Sequence, residues 1–90
     1  MRYEMVGNRG TRTHYDDRDA ALRGVAGEAS ASVKGMARDY MTAGFAADLV
    51  EAAESRPGEC VSREFRGSAF QYGSNAGDCP RGNIGLIASV

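Results

Sequence analysis

A helix predicted over about Asp17 to Lys34 carries two stripes of different kinds, and the rest of the chain has to pack around them. At 3.6 residues per turn, Leu22, Val25, Ala26, Ala29 and Val33 fall on one narrow line, the spacing of a helix laid against a core. Ala20, Gly24, Gly27, Ala31 and Gly35 recur at helical spacing on a second line with almost no side chain. A glycine inside a helix costs roughly 1 kcal/mol relative to alanine, so a row of them calls for a compensating contact. Either another element of the fold packs backbone-close there, which is the expectation for Gly27, or Gly24, Gly27 and Ala31 form a flat strip for a partner, or the row is merely tolerated at a solvated surface. Lys34 and Gly35 read as stop signals, although Met36 and Tyr40 continue the apolar line, so an end near Met41 is the alternative.

The segments around this helix read as strands and one more helix. Tyr3 to Val6 and Thr11 to Tyr15 are β-favouring runs around the three-residue loop Asn8-Arg9-Gly10, with glycine where a left-handed residue is wanted. That loop sets Gly7 opposite Thr11, so Tyr3, Met5, Thr13 and Tyr15 share the core face. Arg2, Glu4, Arg12 and His14 share the wet face, with a Glu4–His14 cross-strand pair. Asp16 is placed to cap the helix that follows, with Asp17 and Asp19 at the positive end of its dipole. A second helix over about Ala43 to Ser55, with Thr42 as its cap, ends before Pro57-Gly58. Phe45, Leu49, Ala52 and Ala53 face inward from it, and Asp48, Glu51 and Glu54 form an acidic edge.

Past Pro57 the period changes to two. Cys60 to Arg66 and Ser68 to Tyr72 alternate around Gly67 as a second hairpin, with Val61, Phe65, Phe70 and Tyr72 towards the core and Arg63 sharing that face at a sheet edge. The turn-rich stretch from Ser74 to Asn83 reads as an exposed loop. Ile84 to Val90 is the most apolar run and reads as a more central strand. The order strand, strand, helix, helix, strand, strand, strand predicts one α+β domain over residues 1–90. Its sheet is antiparallel, of four or five strands, with two or three helices packed on one face.

Ninety residues leave room for one small core. No apolar run approaches the ~20 residues of a transmembrane helix, and the polar start MRYEMVGNRG is not a signal peptide. A cytoplasmic protein without membrane contact is the expectation, with its two cysteines, Cys60 and Cys79, as free thiols. The net charge of −1 provides no global field for nucleic acid. Locally, residues 39–59 carry five acidic groups and one basic.

A Cys–His nucleophile pair would need the only histidine, His14, brought to Cys60 or Cys79 with Asp16 or Asp78 orienting the ring, and no local signature supports it. Zinc would need the same scattered cysteines and histidine, without a Cys-x-x-Cys pair. The glycines of residues 73–85 are not followed by the Lys-Ser/Thr of a phosphate loop. The expectation is therefore no metal, no cofactor and no enzyme, but a protein-binding module that occludes or bridges a macromolecular partner. Asp48, Glu51, Glu54, Gly24, Gly27 and Ala31 are its candidate contacts, and a second copy of the chain is a further candidate occupant of the glycine stripe. Small phage and mobile-element inhibitors of the anti-CRISPR kind share this size and lack of motif, which is an argument from size and not a resemblance. The alternative is a nucleic-acid-binding accessory or regulatory protein using Arg2, Arg9, Arg12 and His14 of the first hairpin.

Overall fold

A computed structural model describes residues 1–7, 9–32, 43–66, 69–76, 79 and 84–90, with backbone alone for residues 31, 32, 43, 63–66 and 69–76. The elements are β1 (Arg2–Val6), β2 (Arg12–Tyr15), α1 (Arg18–Ser32), α2 (Ala43–Ser55), β3 (Glu59–Arg66), β4 (Ala69–Ala76) and β5 (Gly85–Ser89). They form the α+β fold expected: one antiparallel sheet in the order β2-β1-β5-β3-β4, with α1 packed on β1 and β2 and α2 on β5 and β3.

The first hairpin has the register that its loop dictates. The Gly7 amide donates to the Thr11 carbonyl at 2.8 Å, the Gly10 amide donates back to the Gly7 carbonyl at 2.9 Å, and Gly10 takes φ 86°, where a Cβ would be strained. Tyr3 therefore pairs with Tyr15, Glu4 with His14 and Met5 with Thr13. Asn8 of this loop lies outside the described residues.

The cap of helix α1 falls one residue later than predicted. Asp17, not Asp16, accepts the Ala20 amide on its Oδ1 at 2.7 Å, while its carbonyl accepts the Ala21 amide. Ala21, Val25 and Ala29 are fully buried, with Leu22 and Ala26 half-buried beside them, so the buried stripe is centred slightly to one side of the predicted one. Val33, Gly35, Met36, Tyr40 and Thr42 lie outside the described residues, and with them the question of where the first helix ends. From α2, Phe45, Ala46, Leu49, Val50 and Ala53 meet Tyr3, Met5, Val61, Leu86 and Ala88 of the sheet in one core. Burial of the Leu, Val, Phe and Met side chains among them is worth about 1.5–3 kcal/mol each, and it sets both helices on the same face.

Strand β5 is the central strand, as its apolar run implied. It holds the two hairpins together, pairing Met5 with Leu86 on one side and Val61 with Leu86 on the other. β4 is longer than predicted: Ser74, Asn75 and Ala76 continue the ladder opposite Val61, Cys60 and Glu59 where a loop was expected. The backbone of Arg63, Phe65, Phe70 and Tyr72 is in that ladder, and the packing predicted for their side chains lies outside the described residues.

Candidate functional site

The face of the sheet opposite the helices is built from the alternate residues of β1, β2 and β5. Strand pairing brings Arg2 beside Ser89 and Glu4 between His14 and Ile87, with Arg12 one step along β2. Glu4 is the centre of this face. Its Oε1 lies 2.8 Å from Arg12 Nη1 and its Oε2 lies 2.8 Å from His14 Nε2, so one carboxylate bridges two of the basic groups. A shallow groove of about 360 Å³ runs along it, lined by Arg2, Glu4, His14, Asp16, Ile87 and Ser89 among others. The predicted basic patch is thus a mixed-charge patch: Arg2, Arg9, Arg12 and His14 are all exposed, but two of the four already face a carboxylate. Ile87 and Ser89 escaped sequence reasoning because only the pairing of β5 with β1 puts them here.

The acidic edge of α2 is divided. Glu54 is half-buried and occupied, accepting the Tyr3 hydroxyl at 2.6 Å and the Arg18 Nε at 3.1–3.2 Å. It clamps the end of α2 to β1 and to the start of α1, so it is a structural acceptor and not part of an open patch. Burial, and then the hydrogen bond to Glu54, pushes the Tyr3 phenol up to about 12. Asp48 and Glu51 are exposed.

The glycine stripe of α1 is also divided. A Cβ on Gly24 would overlap the ring and hydroxyl of Tyr15, so this glycine exists because β2 packs its tyrosine flat on the helix. Gly27 is exposed, and among the described residues nothing lies within 4 Å of where a Cβ would stand, against the expectation of close packing there. The side chain of Ala31 lies outside the described residues.

The expectation of free thiols is overturned. Cys60 and Cys79 form a disulfide, with Cα atoms 5.4 Å apart, inside the range that a bridge requires. It has a prepared seat, since a Cβ on Gly85 would stand 2.6 Å from both sulfurs. The bridge lies on the outer face, where Val6, Cys60, Ser62 and Gly85 are buried although they point away from the helices. Both sulfurs are consumed by each other, and His14 is held by Glu4, so the Cys–His pair considered from sequence does not form. Among the described residues, no group of three or more His, Cys, Asp and Glu side chains could hold a metal, and no helix is long and apolar enough to cross a membrane.

Comparison with family models, with curated proteins and with solved structures finds no match to this chain.

Proposed function

We propose that this chain is a protein-binding module that occludes or bridges a macromolecular partner, docking through the open face of β1, β2 and β5. The observation that carries this reading is the bridge of Glu4 to Arg12 and His14. Phosphate binding draws on uncompensated cations, whereas a face with both signs interleaved around the half-buried Ile87 suits the polar, partly apolar surface of another protein. The nucleic-acid alternative therefore rests on Arg2 and Arg9 alone. The Cys60–Cys79 bridge favours an oxidising compartment over the cytoplasm, which counts against the finer reading of an inhibitor acting inside a host cell in the anti-CRISPR manner.

The test is affinity capture from the native host with the wild-type chain and two double variants. We expect Arg2→Ala with Ile87→Ala to lose the partner, Asp48→Lys with Glu51→Lys to keep it, and double-stranded DNA to show no steeply salt-dependent retention. Loss in the second variant alone would transfer the site to the acidic edge of α2. Strong binding to DNA that weakens with salt would restore the nucleic-acid reading.

A further inference from the structure

We propose that β4 is the edge through which two copies of this chain pair, antiparallel, about a two-fold axis at Gly73. The sheet ends in β2 on one side and β4 on the other, and the two edges are built differently. β2 has four residues and carries Arg12 and His14, a short and charged edge of the kind that discourages pairing. β4 has eight residues, Ala-Phe-Gln-Tyr-Gly-Ser-Asn-Ala, with no charge and no proline. Its ladder with β3 runs without a bulge from Glu59 opposite Ala76 to Arg66 opposite Ala69, and among the described elements β4 packs against β3 alone. Short length, charge, proline and bulges are the usual guards on an edge, and β4 has none of them.

The sequence of β4 points to a second copy as the occupant. A two-fold axis perpendicular to the sheet and passing through Gly73 sets residues at equal distances on either side of it opposite one another, on the same face. Tyr72 then stands opposite Ser74 of the other copy, Phe70 opposite Ala76, and Gln71 opposite Asn75. In this register each aromatic position faces a small one, amide-bearing positions face each other and no charged positions are opposed, so the strand is its own complement. Pairing this way continues the sheet with all helices on one side. It leaves the face of β1, β2 and β5 at the far end of each copy. The inference stands without the proposed function, although two copies would present two docking faces.

Sedimentation velocity tests it. The wild type is expected at the mass of two 9.6 kDa chains, and Gln71→Lys with Asn75→Lys at the mass of one, because like charges would then face each other across the axis. Circular dichroism and an intact Cys60–Cys79 bridge establish that the variant is folded. Hydrogen exchange on the wild type is independent of any variant: amides of residues 70–76 should exchange faster on dilution, while those of residues 12–15 should not change. A wild type that is monomeric at every concentration up to its solubility limit overturns the proposal, even if its edge accepts a strand from another protein. So does a folded double variant that remains dimeric, or exchange in β4 that does not depend on concentration.

Discussion

Two glycines three residues apart on α1 have opposite reasons for being there, and substitution separates them. At Gly24 any side chain meets the Tyr15 ring, so Gly24→Ala should destabilise by about 1–3 kcal/mol through overpacking. At Gly27 no described residue stands in the way, so Gly27→Ala should stabilise by about 0.5–1 kcal/mol, because alanine is the better helix former. Urea melts of the two variants measure both signs; a loss at Gly27 would mean that something covers it. Tyr3 provides a pH signature at the same scale. Its phenol titrates near 12 in the folded chain against an ordinary 10, so the neutral form is favoured by folding. The corresponding stability is fully present below pH 10 and is lost as pH rises through about 12. Tyr3→Phe should flatten the fall in melting temperature across that window, and an unchanged slope would assign alkaline unfolding to other groups.

At the scale of elements, the Cys60–Cys79 bridge fastens Cys79 to the outer face of β3 and β5, over Gly85. It closes a loop with a sequence separation of 19, for which the chain-entropy model implies about 3 kcal/mol. Alkylation under denaturing, non-reducing conditions should therefore modify no thiol, and reduction should expose two. Cys79→Ser should lower stability by about that 3 kcal/mol, and the outer-face cluster of Val6 and Ser62 should lose amide protection. Two reactive thiols in the unreduced protein would return the cysteines to the free state expected from sequence. The clamp of Glu54 on Tyr3 and Arg18 works between elements in the same way, tying the end of α2 to β1 and α1 without contributing to an open surface.

At the scale of the molecule, the last strand of the chain is the middle strand of the sheet. β5 supplies Leu86 and Ala88 to the core and is the only described strand that joins the hairpin β1–β2 to the hairpin β3–β4. Removing residues 85–90 should thus unfold the whole chain, whereas loss of a peripheral strand would only trim a sheet. Circular dichroism of the truncated chain checks this, and a cooperative melt with most of the native signal would show that the two halves hold each other through the helices instead. The topology also makes closure of the sheet a long-range event, since β1 pairs with a strand about 80 positions away.

How much of this was legible in the sequence follows from the range of the interactions. The register of the first hairpin, the left-handed Gly10, the extent of α2 and the buried side of α1 depend on contacts within a few residues, and period and turn chemistry determined them. The antiparallel α+β class and a central place for residues 84–90 followed from the order of the elements and from one unusually apolar run. The remaining features depend on which distant segments become neighbours. Asp48, Glu51 and Glu54 look alike along α2, yet β1 and the start of α1 take Glu54 out of the patch. Gly24 and Gly27 look alike along α1, yet only one lies under Tyr15. Cys60 and Cys79 look like two isolated thiols until the placement of β3 against β5 brings their Cα atoms to 5.4 Å over a residue with no Cβ. In each case local pattern specifies the element and its buried side, while loop closure and strand order choose the partner, and no periodicity within a segment encodes that choice.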